Sequence, residues 1–237
     1  MKTNSVKLVD HIVHKSAPEE PSLPPVSGGL FDYVLGATGV FVHGKRESLE
    51  VCFPIADADG EIRGLSEVEQ VFKFDLPPVP EPLVSAMLET SAKFAELDSG
   101  LETLFHLIYS PVYPWNNGWE LVEPAQERTA ITCRPLDDGP GSTYEKAIIE
   151  VHSHHRMAAR FSGQDDRDER GFRIYGVMGA IPRDPEIRVR VGVYGHFEEI
   201  PAALVMELPT GLKDCVSDEC YGSELDEEPI TRPAGRF

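Results

Sequence analysis

Residues 147–155 read Ala-Ile-Ile-Glu-Val-His-Ser-His-His, and this stretch determines both the expected fold and the expected chemistry. The β-branched run over 147–152 is typical of a buried strand. Side chains two positions apart on a strand share a face. His152 and His154 should therefore project together, as two ligands of one ion must. A lone histidine on a strand is more often a core or surface residue, so the pair needs support from elsewhere.

That support comes from the segment that follows the strand. Seven residues separate His154 from Ser162, and Asp165 follows after two more. Ser162-Gly-Gln-Asp165 has the pattern of a helix start, with a hydroxyl cap and an acid at the third helical position. By itself this pattern is more often only a capping box. Beside the histidine pair, it predicts a third ligand, and two imidazoles with one carboxylate leave the fourth tetrahedral position of a catalytic zinc open to water.

The complete run, from His152 through His154 and Ser162 to Asp165, resembles the signature of the JAMM (MPN-plus) zinc metalloprotease family position for position. The family usually has proline after the second histidine, where this chain has His155. That departure alters the loop leaving the strand and not the ligand set. The resemblance covers about residues 80 to 205. It implies an α/β fold of the JAMM/MPN type, a curved mixed β-sheet with packed helices.

The resemblance also implies the site and its chemistry. One zinc ion per chain would be held by His152, His154 and Asp165, and zinc brings the pKa of water to near 7. Ser162 would donate to the oxyanion of the tetrahedral intermediate. The reaction would be amide hydrolysis without a covalent intermediate, usually at an isopeptide bond to lysine. The matching general base is Glu102, which precedes a strand-like run.

Other glutamates compete for these roles. Glu96, Glu123 and Glu150 are the rivals of Glu102 as the base. Glu150 shares a strand face with His152, so it is also a candidate partner for the outer nitrogen of an imidazole.

The expected partners also follow from resemblance. The wider chain looks like a component of bacterial PRTRC gene clusters, which also encode relatives of ubiquitin-activating and ubiquitin-conjugating enzymes and a ubiquitin-like protein. The substrate would then be a ubiquitin-like modifier or its conjugates, with conjugation-system proteins as further partners. Two alternatives stay open. The chain could be a zinc-stabilised scaffold of such a complex, or it could hydrolyse a small amide.

Composition limits the other classes of function. The net charge of −18 over 237 residues argues against binding to nucleic acid or to an anionic membrane. Four cysteines without a signal peptide favour a reducing cytoplasm. No run approaches the roughly 20 apolar residues that a spanning helix needs.

The chain divides into four expected parts. A proline-rich arm, mobile or draped over the protein, occupies residues 1–28, and a β-rich N-terminal subdomain occupies 29–76. The metallohydrolase domain covers 77–212, and an acidic disordered tail covers 213–237. Within the hydrolase domain, we expect a helix from Pro82 to about Glu96, a short solvated helix at 165–170, and His196 at the surface. The strands expected in this domain are 103–109, 120–122, 129–133, 147–152, 172–181 and 187–194.

Overall fold

The computed structural model describes residues 7–10, 23, 25–27, 29–96 and 100–216. The fold is mixed α/β and mostly strands, arranged in three sheets with few helices. In chain order the elements are β1 (Lys7–Asp10), β2 (Asp32–Gly36), β3 (Gly39–Arg46), β4 (Leu49–Asp57), β5 (Val71–Phe74), α1 (Glu81–Ala95), β6 (Leu104–Tyr109), β7 (Trp119–Val122), β8 (Gln126–Arg128), β9 (Cys133–Pro135), α2 (Thr143–Lys146), β10 (Ile149–Ser153), α3 (Asp165–Asp168), β11 (Phe172–Gly179), β12 (Glu186–Val193), β13 (His196–Ile200) and β14 (Lys213–Asp214).

The first sheet has the order β1-β2-β3-β4-β5, with β1 parallel to β2 and the other pairs antiparallel. The second sheet has the order β13-β12-β11-β10-β6-β7, and β14 pairs with β12. Strands β8 and β9 form a separate hairpin. The second sheet is mixed because β10 runs parallel to β11 and antiparallel to β6.

The centre of the second sheet positions the histidine pair. Strand β10 lies between β11 and β6 in the sheet. Consecutive residues of the strand are buried, so both of its faces are covered by protein. His152 lies opposite Leu104 in the antiparallel register with β6. The backbone N–H of Ser153 donates to the carbonyl of Thr103 at 3.0 Å. The start of β6 is therefore brought to the end of β10, and Glu102, just before β6, arrives at the histidines.

One hydrophobic core joins the two large sheets. Val51 and Phe53 of β4 belong to the same buried cluster as Ile149 of β10 and Val191 of β12. Helix α1 adds Val84, Met87 and Ala95 to this cluster. A fully buried side chain of this size contributes about 1.5–3 kcal/mol. The boundary expected near residue 76 thus marks a change of sheet, while the core is continuous across it.

Polar contacts also link the sheets. The Arg46 guanidinium donates to the carbonyl of Phe172 at 2.7 Å. The Tyr33 hydroxyl lies 2.8 Å from Nε2 of His196, which is half-buried in β13. His196 was expected at the surface, and its place at the junction of the sheets corrects that expectation.

The described residues at both ends of the chain lie in the sheets. Residues 7–10 of the predicted mobile or draped arm form β1 in the first sheet, which fits a draped arm at these four positions. The predicted disordered tail was to begin at Lys213, but Lys213 and Asp214 form β14, and Asp214 is buried. The tail boundary at 213 is therefore wrong. The rest of the predicted tail, 217–237, and most of the predicted arm lie outside the described residues.

Most internal elements of the second sheet match their predicted ranges. The helix predicted from Pro82 is α1, and the strands predicted at 103–109, 147–152 and 187–194 are β6, β10 and β12. The strand predicted at 129–133 is wrong. Residues 129–132 form the turn of the β8–β9 hairpin, where the Thr129 hydroxyl accepts the N–H of Thr132 at 2.9 Å. Within the described residues, no helix has both the length and the apolar character needed to cross a membrane.

Candidate metal centre

The structure brings His152, His154 and Asp165 together. The Nε2 atoms of the two imidazoles are 3.1 Å apart. Oδ1 of Asp165 lies 3.4 Å from Nε2 of His152, and Oδ2 lies 3.7 Å from Nε2 of His154. Among the residues that the structure describes, this is the one group of three or more acidic, histidine or cysteine side chains with metal-ligand spacing.

These distances fit a tetrahedral ion. Nitrogen and oxygen ligands about 2.0–2.2 Å from zinc lie about 3.3–3.6 Å from one another. The three separations of 3.1, 3.4 and 3.7 Å bracket that range. Two imidazoles and a carboxylate are also a donor set that zinc accepts while keeping one position open. The residues present thus fit the metal.

Asp165 reaches the histidines because a capping box fixes the start of α3. The backbone N–H of Ser162 donates to Oδ2 of Asp165 at 2.6 Å. The Ser162 hydroxyl oxygen in turn accepts the backbone N–H of Asp165 at 3.3 Å. Asp165 can therefore both cap the start of α3 and serve as a metal ligand, so the two interpretations of the Ser-x-x-Asp pattern are compatible. Ser162 is exposed, and its hydroxyl hydrogen-bonds to the Asp165 carboxylate.

Electrostatics keep the two imidazoles neutral. Burial lowers the pKa of His152 to about 4, although Asp165 opposes this effect. Burial also lowers the pKa of His154. For Asp165, burial acts to raise the pKa, but His152 and the hydrogen bonds from Ser162 outweigh it, so the pKa lies below its ordinary value. At neutral pH the site offers two uncharged nitrogens and a carboxylate, as metal ligation requires.

Glu102 lies beside this group. Its Oε1 is 3.8 Å from Nε2 of His154, and the residue is buried. Its backbone N–H donates to the carbonyl of Thr129 at 2.9 Å, which anchors it to the β8–β9 hairpin. Burial, together with the charge of Asp165, raises the pKa of Glu102 to about 8. The carboxyl is therefore poised near neutral pH, where a group can both accept and return a proton.

The rival glutamates lie elsewhere. Glu96 is exposed at the carboxyl end of α1. Glu123 forms an ion pair with Arg128, and its side chain is exposed. Neither residue is brought to the histidines.

Glu150 lines the cleft, but its close contacts point away from the two ligands. Its Oε2 lies 3.3 Å from Nη1 of Arg173 and 3.7 Å from Nε2 of His106. Burial raises the pKa of Glu150 to about 7, with Arg173 opposing. The structure thus places Glu150 in a separate cluster with His106, Arg173 and Thr143, and not next to an outer nitrogen of His152 or His154.

A different glutamate faces His152. Oε1 of Glu169 is 3.9 Å from Nδ1 of His152, and Oε2 is held by Arg190 at 2.8 and 2.7 Å. The Arg190 guanidinium lies between the rings of Phe161 and Phe197, at 3.9 and 3.7 Å from their centroids. Burial raises the pKa of Glu169 to about 8, against the opposing charge of Arg190.

Sequence reasoning missed Glu169 because it lies in the acidic and basic run 165–170, which predicts a solvated helix. Helix α3 spans four residues and ends at Asp168, and Glu169 is 4 % exposed. One signal in the sequence could have indicated Glu169. It lies four residues after Asp165, a spacing that places two side chains on the same face of a helix.

The site opens into two adjoining spaces. A narrow cleft of about 40 Å³ contacts Glu102, His152 and Asp165. A wider groove of about 350 Å³ adjoins it and shares Leu104, Cys133, Glu150 and Asp168 with it. Ile131, on the hairpin turn, borders the narrow cleft and is 73 % exposed. The β8–β9 hairpin therefore forms one wall of both spaces.

His155 stands at the position where the JAMM signature has proline. It holds the backbone through hydrogen bonds and is not a ligand. Its φ is +36°, in the left-handed region that proline cannot adopt. Its Nδ1 accepts the backbone N–H of Arg156 at 2.8 Å, so its Nε2 carries the hydrogen and donates to the carbonyl of Ala130 at 2.8 Å. The ring also lies against Gly100, where an added Cβ would come within 3.1 Å.

No protein-family model and no curated protein matches this chain. The functional assignment therefore rests on the geometry of the site and on the spacing of its residues.

Proposed function

We propose that this protein is a zinc-dependent amide or isopeptide hydrolase of the JAMM type, built on a JAMM/MPN fold. One observation carries the proposal. A buried carboxyl, Glu102, lies 3.8 Å from the nearer imidazole of a His–His–Asp group that leaves a coordination position free. A structural metal site has four protein ligands and no need for a buried acid at its open side.

The residues divide the work as follows. When bound by His152, His154 and Asp165, zinc supplies a Lewis acid that polarises a carbonyl and lowers the pKa of water. Glu102 takes the proton of the attacking water and delivers it to the leaving amine. The buried walls exclude other water, which strengthens each of these electrostatic interactions.

Ser162 has a supporting role in the proposal. Its oxygen accepts backbone N–H groups of Gln164 and Asp165, at 3.2 and 3.3 Å. During attack on the carbonyl, the hydroxyl hydrogen would turn from the Asp165 carboxylate to the oxyanion that forms. A single donor of this kind is worth about two to three orders of magnitude in rate.

The proposed substrate is a ubiquitin-like modifier or its conjugates, acted on in a bacterial conjugation system. The resemblance of the chain supports this choice, and the geometry is compatible with it. A groove of about 350 Å³ leads to the narrow cleft and has room for an extended peptide segment or a lysine side chain.

The decisive experiment uses Glu102→Gln. The amide keeps the shape of the side chain but cannot take a proton, so hydrolysis should fall by about two to four orders of magnitude. Zinc content, measured by mass spectrometry of the purified protein, should stay at the wild-type level. Glu123→Gln is the matched control, because this exposed glutamate pairs only with Arg128 in the described contacts. The substrate is a fusion that carries the ubiquitin-like partner before a cleavable amide.

Two outcomes would contradict the proposal. Wild-type turnover in Glu102→Gln would remove this residue as the base. A wild-type protein that binds zinc, binds the ubiquitin-like partner and cleaves neither a protein fusion nor a small amide would instead be the zinc-stabilised scaffold.

A further inference from the structure

Glu169 and Arg190 form a buried ion pair behind His152, on the side away from His154. Of the two carboxylate oxygens of Glu169, Arg190 contacts Oε2. Its Nε lies 2.8 Å and its Nη2 2.7 Å from this oxygen. The other oxygen, Oε1, is buried and has no hydrogen-bond partner among the described residues. Its neighbour is Nδ1 of His152, at 3.9 Å.

A buried acceptor without a partner is energetically unfavourable, so its presence calls for a reason. The separation of 3.9 Å is longer than a direct hydrogen bond. A shift of about 1 Å would close it, and one bridging water would also span it. In either case the hydrogen of the imidazole is drawn to Nδ1, and the lone pair stays on Nε2.

We propose that Glu169 is a positioning residue for His152, held in place by Arg190, and that it fixes the imidazole with its Nε2 lone pair toward the metal. The inference rests on the proposed function, because it assigns a task within the same zinc site. Carboxylates that accept from the outer nitrogen of a ligating histidine fix its tautomer and ring orientation.

The surroundings of Arg190 support this role. Its guanidinium is flanked by the rings of Phe161 and Phe197, and Nη1 makes a further contact of 2.7 Å to Asp166. These contacts leave the guanidinium little freedom to move. Asp166 is the residue after the ligand Asp165, so the same arginine fixes the start of α3 and the carboxylate behind His152.

The other ligand has a different outer partner. His154 is hydrogen-bonded to the backbone of Ala158, and the carboxylates near its Nε2 are those of Asp165 at 3.7 Å and Glu102 at 3.8 Å. Loss of the Glu169 carboxylate should therefore affect one ligand and not both. Partial weakening of zinc binding is the expected result, in contrast to complete loss.

The test compares Glu169→Gln with Glu150→Gln in the full chain. Both are glutamates paired with an arginine and close to a histidine, but only Glu169 faces a proposed ligand. Zinc affinity is measured by competition with a chelator. We expect Glu169→Gln to weaken zinc binding about 10- to 100-fold, the usual effect of removing such a partner. Glu150→Gln should leave the zinc affinity within about threefold of wild type.

A spectroscopic signature separates positioning from a general structural effect. Nitrogen-15 NMR of the zinc-loaded wild type should show His152 with the hydrogen on Nδ1 and the metal on Nε2. The opposite tautomer would overturn the inference whether or not the variants fold. Glu169→Asp serves as a second variant, because it keeps the charge opposite Arg190 but withdraws the carboxylate from His152, and it should weaken zinc binding as well.

The outcomes distinguish the two proposals. If wild type binds zinc and Glu169→Gln binds it equally well, only the positioning role fails. If wild type binds no zinc, the proposed function and the positioning role fail together.

Discussion

Two buried clusters in the second sheet contain the same three residue types, and only one of them lies at the candidate metal centre. In the first, Glu169 is held by Arg190 and faces His152. In the second, Glu150 is held by Arg173 and faces His106. Burial raises the pKa of both glutamates and lowers the pKa of both histidines, His152 and His106, to about 4.

The two clusters differ at the imidazole nitrogen that does not face the glutamate, which is Nε2 in His152 and Nδ1 in His106. The Nε2 of His152 meets a second imidazole and a carboxylate within 3.4 Å. For His106, Nδ1 is occupied by the Thr143 hydroxyl at 2.9 Å, and its Nε2 faces Glu150. A glutamate–arginine–histidine cluster, with pKa values shifted by burial, is thus not enough to indicate a site. The convergence of further ligands on the free nitrogen is what separates a metal centre from a structural cluster.

The largest effect on zinc content should come from replacing His154, a proposed ligand, whereas replacing His106 of the other cluster should have little effect. His154→Ala leaves two ligands, fewer than the three that a catalytic zinc site needs, so zinc should be lost. His106→Asn keeps a polar atom near the position of Nδ1 and should retain a full equivalent of zinc. Metal analysis of the two purified variants checks this, and equal zinc in both would erase the distinction between the clusters.

Replacing either arginine should lower the free energy of unfolding, but only one of the two replacements should weaken zinc binding. Arg173→Met and Arg190→Met each leave a buried glutamate without its charge partner, which costs about 3–5 kcal/mol. Both variants should show this loss in urea unfolding of the metal-free protein. Only Arg190→Met should also weaken zinc binding. A weaker zinc affinity in Arg173→Met would mean that the two clusters are coupled.

The pH dependence of stability should sharpen the contrast at His106. Burial, with the charge of Arg173, lowers the pKa of His106 to about 4, so the unfolded chain takes up a proton before the folded one does. The stability that this residue contributes is fully present above about pH 6.5 and is lost as the pH falls toward 4. Glu150, Arg173 and Tyr144 are the ionisable groups that face it.

For a single residue with this shift, the loss between pH 7 and pH 5 is about 2 kcal/mol. His106→Asn should therefore reduce the fall in unfolding free energy over this interval by about that amount. His152 and His154 titrate in both proteins, so their contribution cancels. Unchanged pH dependence in the variant would show that the pKa of His106 in the fold is close to its ordinary value.

The smallest effect concerns the hydroxyl groups that serve each cluster. Thr143→Val removes the partner of His106 Nδ1 and should cost about 1 kcal/mol with no change in zinc affinity. Ser162→Ala removes the cap that presents Asp165 and should cost a similar amount, while also weakening zinc. Thermal unfolding with and without zinc distinguishes them, and a larger zinc effect for Thr143→Val would contradict the assignment of the clusters.

The ligand group could be predicted from the sequence because its geometry is local. Strand periodicity places His152 and His154 on one face, and the capping pattern presents Asp165 nearby. Glu102 was found through resemblance, and the pairing of β6 with β10 gives the physical reason for its position. The α/β class was expected from the resemblance, and the structure is mixed α/β.

The remaining features depend on contacts between distant segments, which periodicity does not encode. Glu169 was assigned to solvent because its neighbours are charged, and its burial depends on Arg190 from β12. The prediction that Glu150 contacts an imidazole of the metal centre was wrong, because the imidazole that it faces is His106, from β6. The hairpin of β8 and β9 was missed because its turn is rich in threonine, a residue that favours strands.

The backbone at His155 has a consequence for substitution at this position. Its left-handed backbone and its bond to Ala130 join the segment before Glu102, the hairpin turn and the exit from β10. A proline at 155 needs φ near −65°, about 100° away from the observed +36°. His155→Pro would therefore remodel the exit from β10 and lose the hydrogen bond to the Ala130 carbonyl, so the position of the hairpin turn depends on the backbone that leaves β10.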